Sequence, residues 1–222
     1  MDRTQKTLLT ALWALAVLAM IGVVATGMLA RRHASSDAED PHLVAAAARL
    51  EPLYDAPGFS LTDQHGRTVS DQTLRGKVWV AMVFFTQCPG VCPMMVSRMT
   101  ELQKAVPSPE INIVSFSIDP NRDTPETMKA YADRVGADQS RWYFLTGPEP
   151  TMFQVARGLK LAAAPATADQ PITHTQKLLL IDRQNRIRGI YDSADDLSMQ
   201  QLAQDARTLL AEKPAAGKEP TP

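Results

Sequence analysis

Cys88 and Cys92 stand four residues apart and are the chain's only two cysteines. Thiols at that spacing can close a disulfide, hold a soft metal ion, or do both in turn. A local staple is the plainer use, yet closing so small a loop contributes modestly to stability. The window reads Cys88-Pro89-Gly90-Val91-Cys92-Pro93 and follows the apolar run Val78–Phe85. Two thiolates fill only part of a coordination sphere, one that suits Cu(I) or Zn(II). A third ligand must come from elsewhere, and the chain has four histidines. His33 and His42 lie near the N-terminus, His65 in a turn, and His174 ahead of the apolar stretch Leu178–Ile181. A histidine at a strand mouth can swing onto thiolates, although nothing local brings His174 to Cys88.

The elements around the window follow from pattern. Val78–Phe85 has too long an apolar run for a half-exposed strand and predicts a central one buried on both faces. Pro93 suits a first helical turn, so a helix over Met94–Gln103 follows, with Cys92 at its start. Unpaired N–H groups there favour thiolate and predict a lowered cysteine pKa. Ile111–Ile118 predicts a second buried strand, and Thr124-Pro125-Glu126 a helix start with Thr124 as cap, running to Val135 before Gly136. Trp142–Leu145 and Thr173–Ile181 read as strands, Glu149–Gly158 and Ser198–Leu210 as helices. Phe59–Thr62 with Arg67–Val69, and the arm Ile187–Tyr191 after a turn at Arg183–Asn185, read as hairpins. The alternation predicts an α/β sandwich with a mixed sheet.

Composition sets the outer bounds. Hydrophobic residues make up 45% of the 222, charged residues 21%, and the net charge is −1. That balance, without a basic stripe, argues against nucleic acid as a partner. Leu8–Ala30 is uncharged and apolar, and its 23 residues suffice to cross a bilayer core of about 30 Å. Residues 1–32 are therefore expected to be a cytoplasmic tip and a transmembrane signal anchor, longer than a cleaved signal's apolar core. Residues 33–56 read as a tether, 57–211 as the folded domain and 212–222 as a disordered tail. With the N-terminus inside, the domain faces the far side of the membrane, where disulfides persist.

The pattern from Phe84 through Pro93 resembles the signature of the SCO/SenC family of membrane-anchored copper proteins. Phe59–Gly66 is similar to that family's opening hairpin. Ser117-Ile118-Asp119-Pro120-Asn121-Arg122-Asp123-Thr124-Pro125 is similar to its Ser-x-Asp-Pro-x-Arg-Asp-Thr-Pro block. His174 before Leu178–Asp182 resembles its ligand histidine, and the likeness spans Phe59 to Leu210. The resemblance implies a thioredoxin-like sandwich with an N-terminal hairpin extension. It also implies one copper ion, Cu(I) or Cu(II), on Cys88, Cys92 and His174. It implies delivery of that copper to the Cu-A centre of cytochrome c oxidase, or keeping that centre's cysteines reduced, with the oxidase's copper-bearing subunit or another copper chaperone as partner. The setting it implies is the bacterial inner membrane, crossed once, with the domain in the periplasm. The residues alone leave two other readings open. A thiol–disulfide oxidoreductase would use Cys88 and Cys92 as its redox pair, and a copper or redox sensor would use the fold as a docking scaffold. A metallochaperone rather than an enzyme is the leading expectation. Asp119, Arg122 and Asp123 are candidates for loop architecture, for supporting the metal ligands, or for docking a partner. Met94, Met95 and Met99 have the spacing of core fillers. One departure from the family pattern stands inside the loop: Gly90 occupies the position where Asp is common.

Overall fold

The computed structural model describes residue 20 and residues 50–167 and 170–212. The expected anchor, most of the tether and the tail from residue 213 lie outside the described residues. Among the described residues no helix is long and apolar enough to cross a membrane.

Three parallel strands form the centre: β4 (Val78–Phe84), β5 (Ile111–Ser117) and β6 (Trp142–Thr146). Every residue of β4 and β5 is buried, as a two-sided apolar run requires. The hairpin of β2 (Ser60–Asp63) and β3 (Thr68–Ser70) adds antiparallel to β6 at one edge. On the other side β9 (Lys177–Ile181) runs antiparallel to β4, followed by β10 (Arg186–Asp192). The outermost strand is β1 (Tyr54–Asp55), so the sheet order is β1-β10-β9-β4-β5-β6-β2-β3. The mixed α/β sheet expected from the sequence is present.

Among the described residues, five helices connect or cover these strands: α1 (Asp71–Leu74), α2 (Cys92–Ala105), α3 (Pro125–Val135), α4 (Glu149–Gly158) and α5 (Asp196–Ala211). Helix α3 starts and stops where the sequence indicates. Thr124 accepts a hydrogen bond from the Thr127 amide, and Gly136 closes the helix in the left-handed conformation. Helix α2 packs against both α3 and α5.

Three expectations are corrected. The stretch Thr173–Ile181 is not one strand. Its start, β8 (Thr173–His174), leaves the main sheet and pairs with β7 (Ala163–Ala164) in a separate ribbon. The pairing of β9 with β4 ends at Ala81↔Leu179, and the chain ahead of it turns to new partners, Thr175 N–H donating to the Ala162 carbonyl at 2.8 Å. The end of the expected tether also belongs to the sheet: Leu50 is 1% exposed, and Tyr54–Asp55 pair with Ile187 and Arg186. Glu212, assigned from sequence to the tail, pairs with Arg188 at 2.8 Å. Arg188 is itself buried, binds Asp182 at 3.0 Å and donates to the Leu50 carbonyl, so one guanidinium joins both margins of the domain.

Candidate metal centre

Strand β4 delivers the chain to the cysteine window and α2 carries it away. Phe85 follows β4, the Cys88 amide donates to the Phe85 carbonyl at 3.3 Å, and Cys92 opens α2 with Pro93 in the first turn. This turn places both thiols at one strand-to-helix mouth. The third group comes from the β7–β8 ribbon. His174 Nε2 lies 3.0 Å from Cys92 Sγ and 3.9 Å from Cys88 Sγ. All three ligand atoms fall within 4.8 Å of one another, the single such cluster among the described residues.

The chemistry of the donors fits a soft metal ion. Metal–sulfur bonds of about 2.3 Å and metal–nitrogen bonds of about 2.0 Å allow sulfur–nitrogen separations up to about 4.3 Å. Both sulfurs already lie inside that reach of Nε2. His174 Nδ1 sits 2.8 Å from the Thr175 carbonyl oxygen, which can only accept, so Nδ1 carries the proton. The Nε2 lone pair then points to the sulfurs, as a ligand requires. Burial lowers the His174 pKa, against the hydrogen bond to Thr175, so the imidazole is neutral at pH 7.

One expectation about the cysteines fails. Cys92 is 1% exposed, and burial pushes its pKa well up, outweighing a backbone hydrogen bond from Phe85. The helix N-terminus favours thiolate, but loss of water costs the charge more. Cys92 is therefore a thiol until a metal ion displaces its proton, whereas Cys88 is partly exposed and forms the accessible side of the site. The ring of Phe85 meets the His174 ring edge-on at 5.8 Å and closes the apolar side.

The Asp119–Asp123 loop stands behind this turn and contributes no ligand. Asp123 is fully buried and accepts from the Thr86 amide at 3.2 Å, the Thr86 hydroxyl at 2.5 Å and the Ser117 hydroxyl at 2.6 Å. It ties the exit of β4 to the exit of β5, two residues before Cys88. Burial nevertheless raises its pKa, more than these donors lower it. Asp119 pairs with Arg122 at 2.7 Å, and the Ser117 hydroxyl accepts from the Asp119 amide at 3.1 Å. These three residues shape and fasten a loop.

Of the remaining histidines, His65 is exposed in the β2–β3 turn, while His33 and His42 lie outside the described residues. Met95 and Met99 are fully buried and Met94 packs partly against the core, as their spacing predicts. Thr86 and Tyr131 were not singled out by type or spacing. The register Phe84↔Ser117 was the available signal for Thr86, because whatever follows one strand end must face whatever follows the other. Tyr131 is buried beside Phe84, with ring centroids 5.8 Å apart. Burial raises its pKa to about 12, so the phenol keeps its proton.

A family profile described as SCO1/SenC matches residues 49–211. The chain belongs to the SCO1/SenC family. The SCO1 protein homolog of Bacillus subtilis is 28% identical over 163 residues, which cover 71% of this chain and 84% of that protein. The copper-bound structure of Bradyrhizobium japonicum ScoI aligns with a TM-score of 0.60 at 29% identity, covering 70% of this chain and 99% of ScoI. BsSco, a Sco family cytochrome c oxidase assembly protein with an identified disulfide switch, aligns at 0.66 and 27% identity. That alignment covers 73% of this chain and 98% of BsSco. As an SCO1/SenC chain, this protein shares their thioredoxin-like α/β architecture, and its Cys–Cys–His cluster suits copper.

Proposed function

We propose that this protein is a copper metallochaperone that binds one copper ion through Cys88, Cys92 and His174 and delivers it to the Cu-A centre of cytochrome c oxidase. We further propose that residues 1–32 anchor it in a bacterial inner membrane with the domain in the periplasm. The observation that carries the reading is the convergence of three soft or borderline donors, 82 and 86 residues apart in sequence, at one point. Copper bound to ScoI and the assembly role of BsSco support it by likeness. Two sulfurs from a rigid strand–helix turn hold the ion, and one imidazole from a separate ribbon completes the set. Cys88, on the accessible side, is where an incoming ligand meets the site.

Titration of the reduced protein against a competing Cu(I) chelator tests this. Wild type should bind one equivalent tightly. Cys88→Ser and Cys92→Ser should abolish tight binding, and His174→Ala should weaken it about 100-fold, or ~2.7 kcal/mol. Transfer onto an isolated oxidase copper domain should then proceed from wild type. Equal affinity in all four proteins would overturn the site.

A second reading is favoured by the same thiols, both free and near enough to bridge after a small movement. The protein would then reduce disulfides in its client by forming a Cys88–Cys92 disulfide. In that case His174→Ala leaves the rate of thiol exchange intact, and the reduction potential of the pair decides the direction of reaction.

A further inference from the structure

A groove of about 490 Å³ opens beside Cys88 and runs between α2 and α3. Pro93, Ser97, Glu101 and Lys104 line it from α2, at the spacing of one helix face. The eleven steps from Pro93 to Lys104, at about 1.5 Å rise each, make that wall about 16 Å long, the length of some five residues of extended chain at about 3.3 Å each. The shape suits a polypeptide segment rather than a compact small molecule.

Its charges point to one kind of segment. Glu101 is already engaged by Arg98 at 3.3 Å. Lys104 on one wall and Arg134 on the other are exposed, and neither has an ion-pair partner among the described residues. Arg134 sits over the Tyr131 ring, 4.9 Å from its centroid. Tyr131 lines the same groove, is 6% exposed, and its phenol has no hydrogen-bond partner among the described residues. The ring is buried, but the hydroxyl opens to the groove, where an acceptor on a bound segment can take the place of water. The groove thus holds two unpaired cations and an unused donor, and it ends at the more accessible thiol, Cys88, which lines it as well.

We propose that this groove docks an extended, acidic segment of the client protein and so brings the client's own ligands to Cys88. The inference rests on the client-directed function proposed above. Lys104 and Arg134 meet the carboxylates, and the Tyr131 phenol donates to a backbone carbonyl of the segment.

The test uses the full reduced chain and two fluorescein-labelled octapeptides, one of alternating glutamate and serine, the other of alternating lysine and serine. Anisotropy should show the glutamate peptide binding and the lysine peptide failing to bind. The double variant Lys104→Glu/Arg134→Glu should weaken the glutamate peptide at least tenfold, and Tyr131→Phe about threefold. The control Arg75→Glu/Arg157→Glu makes the same charge change at exposed residues that do not line the groove and should leave binding within twofold. Cu(I) affinity, read by chelator competition, should be unchanged in the groove variant, since neither cation is a ligand. Absence of glutamate-peptide binding to wild type, equal binding of both peptides, or equal loss in the control would overturn the docking site. A wild type that fails to bind Cu(I) while still showing groove-dependent peptide binding would sink the copper reading and leave the docking site standing.

Discussion

Removing the Asp123 carboxylate should show how far the metal centre depends on a group that never touches the metal. Asp123→Ala strips the acceptor from three donors, the Thr86 amide and hydroxyl and the Ser117 hydroxyl. Hydrogen bonds to a charged group contribute about 1.5–3 kcal/mol each, and donors left buried without a partner cost about 1–3 kcal/mol each. The terms do not add, and the buried carboxylate already carries a desolvation cost, the one that raises its pKa. A loss of about 3 kcal/mol is the expected balance. With an m-value of about 2 kcal/mol/M, the urea midpoint should fall by about 1.5 M. Trp79 and Trp142 are fully buried, so their fluorescence follows the transition. Asp123→Asn keeps one acceptor oxygen and should lose about half as much. The pH dependence has a definite sign. A carboxyl whose folded pKa is raised gives stability that is full below the unfolded value of about 3.9 and declines as pH rises through the folded value. The gap between wild type and Asp123→Asn should therefore narrow as pH rises above about 4. Cu(I) affinity should drop with stability, because Thr86 stands two residues from Cys88. A midpoint for Asp123→Ala within about 0.3 M of wild type would refute the reasoning, given that m-value.

Three further outcomes follow from the same coordinates. Gly90→Asp should fold with stability within about 0.5 kcal/mol of wild type, since a Cβ there meets nothing within 4 Å; thermal melting checks it, and the Cu(II) absorption spectrum reports the added carboxylate. Gly189→Ala should destabilise by about 1–3 kcal/mol in urea titration, because its Cβ would overlap the Tyr191 ring carbons at 2.6 and 2.7 Å, and that ring is fastened to Asp205. Cu(I) affinity should rise with pH between 6 and 8, by up to about tenfold per unit for each proton released, because burial keeps Cys92 protonated until metal binds. Flat affinity across that range in chelator competition would mean that Cys92 binds as a ready thiolate.

Much of this was legible in the residues because the signals were local. A seven-residue apolar run makes a central strand whatever surrounds it, and Thr124, Pro125 and Gly136 bound a helix by their own conformational preferences. The cysteine window identified itself by type, and His174 by its resemblance to a ligand position. What escaped depended on distant partners. Thr173–His174 has the composition of the strand after it, and only the competing edge of Ala163–Ala164 draws it off the sheet. The Cys92 pKa follows from burial by elements far along the chain, which outweighs the helix terminus that the sequence does reveal. Leu50 and Glu212 looked like margins because Arg188, the group that recruits them, is an unremarked arginine in a hairpin arm.

The place of β9 has a consequence for how the centre comes into being. The strand sits between β4 and β10, and its first residue follows His174 by only three positions. During synthesis both thiols emerge more than 80 residues before the imidazole, just after a strand whose flank is still open. The growing chain can offer copper a pair of sulfurs but no full set of donors. When β9 slides into its slot it seals the flank of β4 and, in the same movement, carries the imidazole to the sulfurs. The full Cys–Cys–His donor set therefore exists only once β9 is in place.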